Sequence, residues 1–155
     1  MDLVMRSTEL IETIVRTDRQ MPPLTAAEML SNAARMFDLV YVDHCFGKSD
    51  AWLACLHMLR SYYLWISGEK DDAFEALNTA MTCAKRYDQL QKTSPEYFTS
   101  PLLCYVKIHT DTLPEGCAFS KELPELWPWW CVPECEKVKA EMQTDPRWND
   151  WQSKT

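Results

Sequence analysis

Seven cysteines and three histidines are the residues of this sequence best suited to metal binding or nucleophilic catalysis. Cys131 and Cys135 are four residues apart, close enough for two thiolates to share a zinc ion on one helical turn. A structural zinc site needs four ligands, however, and Pro133 places Cys131 ahead of the helix that Cys135 would join. His44 or His109 would have to complete the set. We therefore expect neither a bound metal nor another cofactor.

Thiol catalysis is the second chemistry that these residue types suggest. A cysteine nucleophile needs a base within hydrogen-bond reach. His44 and Cys45 are adjacent in the chain, but neighbouring residues of a helix point about 100° apart, so His44 does not activate Cys45 directly. The sequence leaves open whether the tertiary structure brings another cysteine and histidine together. A small cysteine- or metal-dependent enzyme is therefore the third functional hypothesis, behind two in which the protein is not an enzyme.

Aromatic side chains supply candidates for binding. Met58, Tyr62 and Trp65 follow one another at three- to four-residue spacing, so they share one face of a predicted helix. One hypothesis is that this face lines a groove for a peptide or an apolar ligand, with Tyr62 and Trp65 as anchors. The alternative is that a neighbouring helix covers the stripe, which is the commoner fate of aromatic residues at helical spacing.

A second aromatic cluster, the tryptophan segment, comprises Trp127, Trp129 and Trp130. Pro124 and Pro128 bracket it and favour an extended or single-turn conformation, from which three rings do not easily point inward. Either the segment only packs as a lid on the helices, or one of its rings is also partly exposed and contacts a partner. Tryptophan suits an interface because it joins a large apolar area to a hydrogen-bond donor.

The composition excludes several classes of protein. The chain has 155 residues, 46% of them apolar and 25% charged, which is typical of one globular domain or a short helical array. Its net charge is -7 and no segment is basic, which argues against direct nucleic-acid binding. Three glycines are too few for most phosphate-binding loops. An apolar run of about 18 residues, which a membrane span needs, does not occur. The odd number of cysteines and the lack of a secretory signal indicate the cytoplasm.

The elements that must position these residues are helices. Apolar residues recur at helical spacing and no alternating strand pattern occurs, so the sequence predicts an all-α fold. A capping box at Thr25 and Glu28 predicts the start of the second helix, and Gly68 the end of the third. Asp145 followed by Pro146 predicts the N-cap and first residue of a last turn. We expect three antiparallel helices to form the core, with a further helical stretch packed across one end: 25–45, 50–67, 71–90 and 133–152.

Prolines mark the boundaries within the chain. Pro22 and Pro23 are expected to end a short first helix, so that residues 1–23 form a helical arm or linker and residues 24–155 form one domain. Seven of the nine prolines lie after residue 90. We expect short helices and connections in this part, with a loop at 109–124.

One spacing in the predicted core points to a repeat architecture. Gly68 is followed by Ala73, Leu77 and Ala80. A glycine that ends one helix, then small, large and small residues on the next, resembles a tetratricopeptide helical pair, in which alanines allow two helices to approach closely. A strict period of about 34 residues is not visible.

Longer phrases make the resemblance more specific. Ala84-Lys85-Arg86-Tyr87-Asp88 ends the fourth helix, Thr99-Ser100-Pro101-Leu102-Leu103 follows it, and Asp145-Pro146-Arg147-Trp148 opens the last one. Residues 24–155 are therefore similar to the C-terminal tetratricopeptide-like half of Xre/Cro-type helix-turn-helix regulators of Firmicutes. The chain departs from this pattern at the proline within the second phrase and at residues 127–130. It also lacks the DNA-binding helices, and we expect it to begin where the linker to them would lie.

The resemblance implies a fold and a function. It implies a tetratricopeptide-like antiparallel array with a proline- and tryptophan-rich C-terminal cap, acting as a non-enzymatic sensing or oligomerisation module of a cytoplasmic bacterial regulator. The expected partner is a protein or peptide, a second copy of the chain included, while this segment binds neither DNA nor a membrane. The alternative is a stand-alone tetratricopeptide-like adaptor that binds a peptide. Met58, Tyr62, Trp65 and the tryptophan segment are the candidate binding residues in both cases.

Overall fold

A computed structural model describes residues 3–16, 20–39, 48–93, 119–125 and 134–154. Their regular structure is helical throughout, and no β-strand occurs in these ranges, which confirms the all-α prediction for them. Seven α-helices and one 3₁₀ turn follow in chain order: α1 Leu3–Arg16, α2 Pro23–Leu39, α3 Lys48–Ile66, α4 Lys70–Thr93, α5 Phe119–Glu122, the turn Leu123–Glu125, α6 Cys135–Gln143 and α7 Pro146–Gln152.

Helix α3 is the centre of the hydrophobic core. It packs between α2 and α4 and also contacts α6. Because apolar side chains cover most of its faces, nearly all of them become buried when those helices close around it. The fully buried residues of α3 with less than 2% exposure include Trp52, Leu56, Leu59 and Tyr62. Helix α3 is therefore contacted on several sides.

Helix α4 packs on α3 through a row of small side chains. Ala73, Ala76, Ala80 and Ala84 are all 0% exposed. Alanine at these positions lets the two helix axes approach closely, while Leu77, also 0% exposed, fills the space between them. The buried stripe predicted for the fourth helix is therefore present.

Gly68 joins α3 to α4 in a Schellman motif. Its φ angle is 85°, in the left-handed region that favours glycine. The amide of Gly68 donates to the carbonyl of Trp65 at 3.0 Å, and the amide of Glu69 donates to the carbonyl of Leu64 at 3.0 Å. These two bonds satisfy the last carbonyls of α3. The helix end predicted at Gly68 is confirmed.

The starts of α2 and α3 differ from the prediction. The amide of Ala26 donates to the carbonyl of Pro22 at 3.1 Å, so α2 begins at Pro23 and the capping box predicted at Thr25 is wrong. Proline suits the first helical position because its missing N–H would have no partner there. Helix α3 begins at Lys48, two residues before the predicted start, so Asp50 lies in its first turn. It is 0% exposed, and its Oδ1 lies 3.0 Å from Arg86 Nη2 of α4.

The two ends of the chain contribute to the same core. Ile11 and Ile14 of α1 are 1% and 2% exposed and belong to the cluster built on α3, while the division into 1–23 and 24–155 stays a prediction.

The loop predicted at 109–124 is wrong in its last part, because residues 119–125 form α5 and the 3₁₀ turn. The part of the predicted second helix beyond Leu39, and residues 94–118, fall outside the described residues.

Candidate functional site

A surface cavity of about 800 Å³ opens where the α3–α4 hairpin meets α6 and α7. Trp65 and Gly68 line it from the hairpin, Val138 and Glu141 from α6, and Pro146 from the start of α7. The Schellman motif at Gly68 positions the wall formed by the hairpin. Contacts of α6 with α3 and of α7 with α4 position the opposite wall. The cavity thus lies between two parts of the chain about 70 residues apart in sequence.

The indole of Trp65 is held in place from three directions. Its Nε1 donates to Glu141 Oε2 at 3.1 Å, and Lys70 Nζ lies 4.9 Å from the ring centroid. Phe74 meets the ring edge-to-face, with centroids 6.0 Å apart and an interplanar angle of 81°. Edge-to-face pairs and ammonium–ring contacts are both favourable geometries for an indole. Trp65 is 8% exposed and forms a pre-organised side of the cavity.

Side chains of both charges line the cavity. Glu134, Glu141 and Asp145 bring carboxylates to its walls, and Lys70 and Lys137 bring ammonium groups. Arg147 pairs with Asp71 and, at 3.0 Å, with Asp145 Oδ2. The hydrogen bonds from Arg147 hold the pKa of Asp145 below its usual value. Of the other two carboxylates that line the cavity, Glu134 is half-buried and Glu141 is exposed.

The three candidates on α3 have different surroundings. Met58 and Tyr62 are 2% and 0% exposed and lie in the hydrophobic core, which matches the packing alternative. Tyr62 meets Tyr63 edge-to-face, with ring centroids 5.0 Å apart. Trp65, one turn further along, reaches the cavity. Contact with a partner stays a prediction for these residues. The tryptophan segment, Trp127, Trp129 and Trp130, falls outside the described residues.

The thiol and imidazole groups of the described core have surroundings that oppose nucleophilic chemistry. Cys55 and Cys83 are buried, and burial raises the pKa of the Cys55 thiol well above its usual value. His57 Nδ1 accepts a hydrogen bond from Arg60 Nε at 3.1 Å. Burial, together with the positive charges of Arg60 and Arg86, lowers the pKa of His57 to about 3. A thiol kept protonated is a weak nucleophile.

No group of three histidine, cysteine or acidic side chains arranged for a metal occurs within the part of the chain that the structure describes. Cys135 lies at the start of α6 and forms no disulfide bond with another described residue. Its potential co-ligands Cys131, His44 and His109 all fall outside the described ranges. The expectation of no metal therefore stays a prediction.

Of the residues that line the cavity, the sequence singled out Trp65 as a candidate and did not indicate the opposite wall. That wall is one face of α6 and its N-cap residue, at a spacing that is ordinary for an amphipathic helix: Glu134, Lys137, Val138 and Glu141. Nothing in that spacing indicates that α6 packs beside the end of α3. The one local signal near this wall is the Asp145-Pro146 pair. It predicts the start of α7 but not the surface that α6 and α7 contact.

Comparison of the chain with protein-family models, with curated proteins and with solved structures gives no match. None of the described helices combines the length and apolar character that crossing a bilayer requires. The function of the chain is therefore inferred from its own residues and their geometry.

Proposed function

We propose that this chain is a non-enzymatic protein-interaction module, the regulatory or oligomerisation part of a cytoplasmic bacterial transcriptional regulator. Its helices from residue 24 onward would be arranged as a tetratricopeptide-like array. The observation that carries the proposal is the α3–α4 hairpin, which closes at Gly68, packs through Ala73 and Ala80, and presents Trp65 to an open cavity at its end. A small helical pair with a pre-organised aromatic side chain at a cavity is suited to holding part of another protein.

The phrases shared with the regulator family give further support. Asp88, from the first phrase, accepts hydrogen bonds from the amides of Phe119 and Ser120. Arg147, from the last phrase, pairs with Asp71 of α4. Both phrases thus supply the contacts that attach later helices to α4. Residues with such a role are expected to recur together in chains of similar architecture.

Self-association tests the proposal. Sedimentation velocity over a range of concentrations is compared for the natural chain and for Trp65→Ala, Trp129→Ala and Trp130→Ala, with helicity followed by circular dichroism. We expect concentration-dependent dimer formation by the natural chain and its loss in at least one variant that keeps its helicity. Substituting an aromatic residue that dominates an interface weakens binding by about 2 kcal/mol or more. Variants that unfold, or that leave dimerisation unchanged, would assign these rings to the core or to unused surface.

DNA binding supplies an independent check. A net charge of -7 opposes the phosphate contacts on which non-specific affinity depends. We expect no shift in the anisotropy of a labelled DNA duplex on addition of this chain at physiological salt. A micromolar complex that weakens with added salt would contradict the proposed division of labour, in which DNA is contacted by another part of the regulator.

A stand-alone adaptor that binds a peptide is the second candidate function. The cavity of about 800 Å³ favours it, because that volume holds a few side chains of a short segment. The two candidates differ in solution: an adaptor remains monomeric at every concentration and still binds peptides, whereas an oligomerisation module associates without any added ligand.

A further inference from the structure

We draw no further inference here: the strongest candidate, the cavity of about 800 Å³ between the α3–α4 hairpin and helices α6 and α7, is lined by side chains of both charges, and nothing in the described part of the chain shows what covers it.

Discussion

Helix α4 makes two contacts with later helices. The first is with α7, at the N-terminal third of α4, and the second is with α5, near its C-terminal end. In the first contact, Trp151 is 1% exposed and its Nε1 donates to the carbonyl of Leu77 at 2.8 Å. Arg147 lies 4.6 Å from the ring centroid of Phe74 and pairs with Asp71. Ring burial and one hydrogen bond therefore fasten α7, with an ion pair at the surface beside them.

The second contact depends on a carboxylate. Asp88 accepts from the amide of Phe119 at 2.6 Å through Oδ1 and from the amide of Ser120 at 3.0 Å through Oδ2. It thereby caps the first amides of a helix that begins 31 residues later in the chain. Tyr87, its neighbour, packs on Phe119 with ring centroids 5.2 Å apart.

The difference between the two contacts lies in how much each depends on buried area and how much on charge. The α7 contact buries two tryptophans, Trp148 and Trp151, whose rings also meet edge-to-face with centroids 5.0 Å apart. The α5 contact attaches one turn of helix through a carboxylate and one pair of rings. The first should resist changes of pH and salt and fail when a ring is removed, while the second should respond to the loss of a single charged group.

Removal of a ring at α7 gives the largest expected effect. Trp151→Ala should lower the free energy of unfolding by about 3–5 kcal/mol, because it opens a cavity and loses the hydrogen bond to Leu77. Urea denaturation followed by circular dichroism measures it. Trp151→Phe is the matched control, expected to cost less because it keeps a buried ring. Equal effects of the two variants would mean that the hydrogen bond, and not ring burial, fastens α7.

Removal of the cap at α5 should have the next largest effect. Asp88→Ala leaves the amides of Phe119 and Ser120 without their acceptor and should cost about 1–2 kcal/mol. Hydrogen exchange at these two amides should speed up markedly more than exchange in α7. Asp88→Asn keeps one acceptor oxygen, so its free energy of unfolding should lie between those of the natural chain and Asp88→Ala. Unchanged protection of both amides in Asp88→Ala would show that α5 does not depend on this cap.

Alkaline pH should weaken the α5 contact selectively. Burial, reinforced by the charge of Asp88, raises the pKa of Tyr87 to about 12. The unfolded chain loses the phenolic proton near pH 10 while the native chain keeps it, so stability is lost as the pH rises from about 10 to about 12.

The loss should amount to about 1 kcal/mol, allowing for partial solvent screening. It is read from the difference between the natural chain and Tyr87→Phe in urea midpoints across this range. Parallel curves for the two proteins would contradict the assignment.

The surface ion pair at α7 should have the smallest effect. Arg147→Ala removes the contacts with Asp71 and Asp145, which are exposed or partly exposed and weakened by solvent. We expect a smaller shift of the urea midpoint than for Asp88→Ala. The part of this shift that comes from the ion pairs should disappear at high salt. A shift as large as that of Trp151→Ala would reverse the ranking of the two kinds of contact.

Local signals in the sequence were sufficient for two helix ends. Gly68 ends α3 as predicted, and Asp145 caps α7, with its Oδ1 accepting from the amide of Arg147 at 2.9 Å and Pro146 at the first position. Each of these features is made by residues within a few positions of each other, so their types alone are enough. Thr25 failed because a proline two residues earlier starts the helix with no need of a side-chain cap.

Long-range contacts account for the errors and omissions. The helix at 119–122 is stabilised by Asp88, and no pattern within 109–124 reports that partner. Trp65 was identified as an anchor on a stripe with Met58 and Tyr62, but those two side chains lie in the core. What separates them is the packing of α6, whose sequence is about 70 residues away.

By itself the sequence determined the helical class, the α3–α4 hairpin and its buried alanine stripe, because periodicity, small residues and glycine act over a single turn or a single pair of helices. The tertiary structure decided which aromatic side chain reaches the surface, which carboxylate caps a remote helix, and where a cavity opens. These depend on α6 and α7 meeting the hairpin. Burial and charge are properties of the space between elements, and that space exists only after the helices have packed.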